Sequence, residues 1–294
     1  FFSSRRRHTR YGTVTGVQTC ALPICQRYRS VMSSGSSRPI ALVTGATAGI
    51  GAAFAELLAR ESHDLVIVAR DLPRLNSRAD EWRSRYKIEV EVIQADLSRD
   101  EDIRRLELRL QNISRPIEVL INNAGFGINK SFTTSDIAEE IALLDVLVTA
   151  PMRLMHAVLP RMKERNSGII INVSSVAGWI AGGTYSAAKS YLTVLSESLH
   201  TELRGTNVKV HALCPGFTRT EFHQRGRMKM GAVPNSFWLT AENVVSDAWK
   251  SANAGKALSV PGGQYKVLSF ISRFAPRPLV RKVGMNVRVR QRNK

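Results

Sequence analysis

Thiols, acidic side chains and uninterrupted apolar runs are all scarce in this chain of 294 residues. There are only three cysteines, too few for a disulfide-stapled scaffold. The most continuous apolar stretch, residues 168–185, is broken by Asn172, Ser174, Ser175 and several glycines, so it does not read as a bilayer span. Acids number 24 against 42 Lys and Arg, a formal charge of +18. Apolar residues are present in ordinary amount, 44%. That excludes wholesale disorder and allows one large domain, or two small ones, with a substantial core.

Part of the charge sits where the sequence does not read as protein. Positions 4–10 (SRRRHTR) and 14–24 (VTGVQTCALPI) resemble the in-frame translation of a common sequencing adaptor. A signal peptide would need an apolar core before a small-residue cleavage site. A nucleic-acid-binding arm would rest on Arg5, Arg6, Arg7 and Arg10 alone. Residues 1–31 are therefore expected to be an artefactual or disordered extension, with Met32 as the native start. Setting them aside removes six arginines and no acid, which lowers the charge to +12, and takes Cys20 and Cys25 with them. Cys214 is then the only thiol, which excludes an intramolecular disulfide and fits a reducing cytoplasm.

From Pro39 onward, short β-branched runs at 40–44, 65–69, 88–94, 119–122, 169–173, 208–213 and 258–260 alternate with longer amphipathic segments. That alternation predicts an α/β fold: a doubly wound, Rossmann-type parallel sheet of about seven strands, flanked by helices in a single domain over residues 32–265. Helical patterns include Ala52, Ala55, Leu58 and Ala59 on one face, Leu106, Leu108 and Leu110, and the long segments 136–163 and 184–204. Residues 266–294 read as a basic tail, in which Pro276 and Pro278 interrupt any helix.

The first strand runs into Thr44-Gly45-Ala46-Thr47-Ala48-Gly49-Ile50-Gly51 and then a helical pattern. Gly45 permits a tight turn, Gly49 lets backbone approach a pyrophosphate, and Gly51 allows helix to pack on strand. Thr47 and Ile50 belong to the same expected dinucleotide site. A carboxylate at the end of the second strand would bond the adenosine ribose, whereas Arg attracts a 2′-phosphate. Ala69-Arg70 stands there, which predicts NADP(H) over NAD(H), with Asp71 a mild counterweight.

These residues, with Asp96-Leu97, Asn122-Asn123-Ala124-Gly125, Ser174-Ser175, Tyr185-xxx-Lys189 and Pro215-Gly216 leading to Thr220, resemble the short-chain dehydrogenase/reductase family over about residues 40–260. Within it, Asn172 to Gly178 and Cys214 to Phe222 are most like a broad group of bacterial reductases. The resemblance implies an oxidoreductase that interconverts a carbonyl and a secondary alcohol. Tyr185 would exchange a proton with the substrate oxygen, Lys189 would also bind the nicotinamide ribose, and Ser175, in preference to Ser174, would orient the substrate. It also implies that Asp96 contacts the adenine, that Leu97 belongs to the cofactor site, that Asn123, Ala124 and Gly125 form the cofactor floor, and that Pro215, Gly216, Thr218 and Thr220 cradle the carboxamide. Asn122 reads as a structural amide. Tyr185 and Lys189, four apart on a helix, share a face. An ammonium there, with an oxidised nicotinamide, is expected to lower the phenol pKa from about 10.

The chain departs from the family twice. Leu147 stands where many members carry an Asn holding a proton-relay water; either another group or bulk solvent completes the relay, or turnover is slower, by on the order of tenfold to a hundredfold. Ser175 and Tyr185 are ten apart, fewer than is usual, so Gly182 and Gly183 must turn the loop tightly. No metal site is expected: His211 and Cys214 have no second ligand pair and read as strand packing, and Cys214 as an unreactive thiol.

Met228, Met230, Val233, Phe237 and Trp238, in the stretch 222–238, either form a lid for a hydrophobic substrate or pack on the domain. The tail either is a solvated end or touches an anionic membrane surface, with Leu268, Phe270, Ile271 and Phe274 upstream; the latter would place a cytoplasmic protein at the inner membrane face. No base-stacking or groove-reading motif accompanies the charge, so nucleic acid is not an expected partner. A homodimer or homotetramer through segments 136–163 and 184–204 is implied by the resemblance. The alternative is a nucleotide-binding protein of the same fold without turnover, or a membrane-associated interaction protein.

Overall fold

The computed structural model describes residues 38–226 and 233–282. The N-terminal extension, Met228 and Met230, and the tail cations Arg288, Arg290, Arg292 and Lys294 lie outside the described residues.

Seven parallel strands form one sheet in the order β3-β2-β1-β4-β5-β6-β7. They are β1 (Ile40–Thr44), β2 (Asp64–Ala69), β3 (Val90–Gln94), β4 (Ile117–Asn122), β5 (Gly168–Val173), β6 (Val208–Leu213) and β7 (Leu258–Ser259). All seven expected strands are present, with ends shifted by one or two residues. The runs of β1 and β2 are buried on both faces because helices cover both, which is why they lack polar alternation, whereas the edge strand β3 (VEVIQ) is only partly buried.

Between the strands run α1 (Gly49–Arg60), α2 (Leu72–Tyr86), α3 (Asp100–Leu110), α4 (Ile137–Leu144), α5 (Ala150–Arg165), α6 (Thr184–Glu202), the short α7 (Phe222–Arg225), α8 (Ala241–Asn253) and α9 (Gly263–Phe274). One layer buries Phe54, Leu58, Leu75, Trp82, Val244 and Trp249. The other buries Leu106, Leu110, Val146, Leu154, Val158 and Leu192. On α3, Leu106 and Leu110, one turn apart, are buried, while Leu108 between them is exposed, since i and i+2 lie on different helix faces.

The long segment near 136–163 is two helices joined by a π-helical turn, Asp145–Thr149. The amide of Ala150 donates to the carbonyl of Asp145, five residues back. Pro151 follows, and having no N–H it cannot donate to Leu147 four residues earlier. By length and composition Ile137–Arg165 is apolar enough to cross a membrane. Its buried side, Leu143, Val146, Leu147, Leu154, Val158 and Met162, is that of a core helix packed in this domain.

Two expectations about the C-terminal region need correction. The boundary at 265/266 falls inside α9, whose Tyr265 and Ser269 are buried in the domain. A further helical segment, 277–282, begins directly after Pro276. Pro278 sits in its first turn, where no backbone donor is required, so it is compatible with the helix it was expected to break.

Strands β4 and β5 are tied to the helical layer by amides. Asn122 donates to Asn172 Oδ1 at 2.8 Å, and Asn172 in turn donates to Ser196 Oγ at 2.8 Å and Met155 Sδ at 3.1 Å. Asn122 is thus the structural amide the sequence suggests. Asn172→Ala removes this buried network and strands its partners; the expected cost is about 2–4 kcal/mol, read from the urea midpoint at unchanged m-value.

Candidate functional site

Because β1 pairs with β2 on one side and β4 on the other, the chain leaves β1 and β4 in opposite directions, and a crevice opens at their C-terminal ends. A cavity of about 1280 Å³ occupies it. That exceeds the usual range for a single small ligand, about 300–1,000 Å³, and suits a dinucleotide with a second molecule beside it.

The glycine turn forms one wall. Gly45 has φ +68°, and a side chain there would press on Asn123 Nδ2 and the Ala124 backbone. At Gly51 a Cβ would strike the Gly45 carbonyl and Asn123, so helix α1 seats directly on the turn. Asn123 completes the joint by donating to the Thr44 carbonyl at 2.9 Å, while Thr44 Oγ1 accepts from the amides of Asn123 and Ala124. Asn123 therefore braces the floor as well as lining it. The first turn of α1 has neither a side-chain cap nor an acid, which leaves its amides and positive end to an incoming anion. The residues present thus fit a dinucleotide phosphate.

Arg70 lies at the end of β2, lines the cavity and is mostly exposed, with one long contact to Asp96 at 4.0 Å. Asp71, the expected counterweight, caps α2 by accepting the Arg74 amide at 3.1 Å. Asp96 accepts from the Ser98 amide and hydroxyl, and with Leu97 faces the same cavity. Thr47, Gly49, Ile50, Ala124, Gly125, Pro215, Gly216, Thr218 and Thr220 line it too. The side chain of Thr220 lies over Gly49, closing the crevice from the opposite side.

Ser175, Tyr185 and Lys189 line the other end of this cavity. Gly183, with φ +79°, makes the tight entry into α6 that the short interval between Ser175 and Tyr185 demands. Ser175 follows β5 and caps a 3-10 turn, Val176–Trp179, by accepting the Ala177 amide at 3.1 Å. Ser174 points the other way, donating to the Lys189 carbonyl at 2.7 Å, which makes it structural. Lys189 is buried, its Nζ 5.7 Å from the Tyr185 ring centroid and donating to the Val173 carbonyl at 2.6 Å.

The expected fall in the Tyr185 pKa is not produced by the protein's own groups. Desolvation pushes the phenol up to about 12, opposed by its hydrogen bond with Ser175. The same desolvation pushes the Lys189 amine down to about 8, so the ammonium that was to stabilise a phenolate is itself disfavoured.

Leu147 is buried beside Tyr185 and Ala188, its Cδ2 against Gly125, so an apolar side chain fills this position. Of the expected lid aromatics, Phe237 meets Tyr265 edge to face, while Trp238 packs against Phe217 and His223; they pack on the domain. The apolar lining comes from Phe126, Ile128, Ile180, Phe217, Phe222 and the C-terminal segment. The segment after β6 is held by Arg74, which makes two bonds to Glu221 at 2.7 and 3.0 Å; this guanidinium, after which Arg225 adds its own, holds the carboxyl down at about 2.

Tyr265 is the site residue that sequence reasoning missed. Its ring covers Gly216, and its hydroxyl accepts from the Phe217 amide at 3.0 Å and donates to the Phe237 carbonyl at 2.6 Å. No motif surrounds it, and only the fold brings it against the Pro215-Gly216 loop. His211 bonds Lys256 O and Ser259 Oγ, and buried Cys214 has its thiol pushed up to about 11, so both are packing residues.

The family model described as short chain dehydrogenase matches residues 39–230. An uncharacterized oxidoreductase of Myxococcus xanthus is 32% identical over 244 residues, 81% of this chain and 93% of that protein. A short-chain dehydrogenase from Sphingobium yanoikuyae, solved in complex with NADPH, superposes with a TM-score of 0.73 at 33% identity over 80% of this chain and 94% of that one. The bulky-bulky ketone specific alcohol dehydrogenase of Comamonas testosteroni superposes with a TM-score of 0.70 at 30% identity, covering 88% and 98%.

The lowered Lys189 pKa has a consequence for stability. Between about pH 8 and 10.5 the unfolded chain keeps a proton on this lysine that the folded protein has lost, so its contribution to stability rises with pH there. Tyr185 contributes in the opposite direction only above pH 10, where the unfolded phenol ionises first. Thermal midpoints of wild type and Lys189→Met, measured from pH 7 to 10 without nucleotide, should therefore converge toward, or shift in favour of, the wild type as pH rises. A difference independent of pH would refute the buried-amine assignment.

Proposed function

The chain belongs to the short-chain dehydrogenase family and is an oxidoreductase, and we propose that it uses NADP(H) to interconvert a hydrophobic ketone and its secondary alcohol. The observation that carries this is the meeting, in one cavity, of the glycine turn and Arg70 at one end with Ser175, Tyr185 and Lys189 at the other. When bound, the dinucleotide supplies or accepts the hydride.

The chain's own residues do the rest. The amides of α1 and the glycine turn hold the phosphates, and Arg70 receives the 2′-phosphate. Ser175 Oγ orients the substrate oxygen. Tyr185 Oη, kept protonated by its surroundings, donates to that oxygen in the reductive direction. Below its lowered pKa of about 8, Lys189 stays protonated and supplies positive charge near the phenol and to the nicotinamide ribose. Phe126, Ile128, Phe217 and Phe222 exclude water and favour an apolar substrate, as does the similarity to the bulky-bulky ketone specific alcohol dehydrogenase. The exposed stripe Ile137, Ile141 and Met152 on α4 and α5, with Tyr191 and Val194 on α6, would form the homodimer contact. A nucleotide-binding protein without turnover would have no need of the Ser175 and Tyr185 hydroxyls at one cavity.

With NADPH and a panel of bulky ketones, Tyr185→Phe should lower kcat by about 10²-fold or more while leaving the NADPH Kd within about twofold. Equal turnover would remove Tyr185 from the chemistry. Arg70→Ala should weaken NADPH about 10- to 100-fold and leave NADH nearly unchanged, by titration of intrinsic fluorescence. An unaltered preference would reject its contact with the 2′-phosphate.

A further inference from the structure

Helix α9 has two working faces. Tyr265 and Ser269 are buried, and Leu268, Ser269, Ile271 and Ser272 line the cavity, as do Leu279 and Val280 beyond it. On the outer side Val267, Phe270, Ile271 and Phe274 recur at i, i+3, i+4 and i+7, each more than half exposed. Phe270 and Phe274 stack on one another with ring centroids 4.7 Å apart, so the patch is a contiguous surface and not scattered side chains.

Cations flank it along the chain. Lys266 on α9 and Arg277, Arg281 and Lys282 on the helical segment directly after it are exposed, and Arg273 lies over the Trp179 ring at 4.5 Å. The sequence has no acidic residue after Asp247. An aromatic and aliphatic stripe edged by cations of one sign matches the boundary between acyl chains and anionic headgroups. A second copy of the chain fits less well, since a two-fold contact through this face would bring these cations against their own counterparts. Leu268, Ile271 and Leu279 line the cavity and are also about half exposed, so they form its rim on the same side.

We propose that the outer face of α9, with residues 277–282, docks this protein on an anionic phospholipid bilayer and turns the cavity rim toward the lipid, from which an apolar substrate enters. The entry route rests on the cavity being the ketone site described above; the docking surface does not.

The test is flotation of the full chain with vesicles of phosphatidylcholine alone, or of phosphatidylcholine with a quarter phosphatidylglycerol. Wild type should float with the anionic vesicles, less so at raised salt, and hardly at all with the neutral ones. Phe270→Ser with Phe274→Ser, and separately Lys266→Glu with Arg277→Glu and Arg281→Glu, should each reduce the bound fraction about tenfold. Both should keep the wild-type thermal midpoint and turnover of a short water-soluble ketone. Absence of flotation, or flotation undiminished in both variants, overturns the proposal. So does a change in particle mass for the Phe variant in vesicle-free solution, which would make the face a subunit contact. Because flotation needs neither nucleotide nor turnover, failure of the ketone reductase reading would show separately, in the turnover arm alone.

Discussion

The pairing of β1 with β4, in place of β3, is the constraint from which the rest of the molecule follows. It sends the loops after β1 and β4 apart and leaves backbone amides facing an open crevice. The crevice survives only because α1 can sit directly on the turn that precedes it. Gly51 lies against the Gly45 carbonyl, and Asn123 reaches across from β4 to bond Thr44. Any side chain at Gly51 would wedge helix from strand and move the amides at the nucleotide end.

The opposite end of the cavity is built at some cost to stability. A buried amine and a buried phenol, both driven toward their neutral forms, sit beside one another where a folded protein would gain more from apolar side chains. The backbone of β5 offsets part of this by giving Lys189 the Val173 carbonyl, and Ser174 and Thr193 hold the turn of α6 that carries it. The Lys189 Nζ is thereby kept in the cleft, near the ring it has to influence.

The C-terminal helix belongs to the site and not to an appendage. Tyr265 seals the Gly216 turn, and the residues after it complete the cavity wall. The apolar lining thus comes in large part from a segment whose outer surface is apolar and cationic. Wall and outer surface are two sides of one helix, so whatever contacts the outside lies within a helix diameter of the substrate space.

The amino-acid order alone determined the sheet, the glycine turn, the Tyr185 and Lys189 pair and the structural part of Asn122. These depend on local spacing: β-branched runs between turns, glycines where a Cβ cannot fit, and two residues one helical turn apart. The direction of the Tyr185 pKa, the part taken by Tyr265 and the helix beyond Pro276 were decided by the tertiary structure. Each depends on which distant groups exclude water or fill space, and desolvation and packing have no signature along the chain.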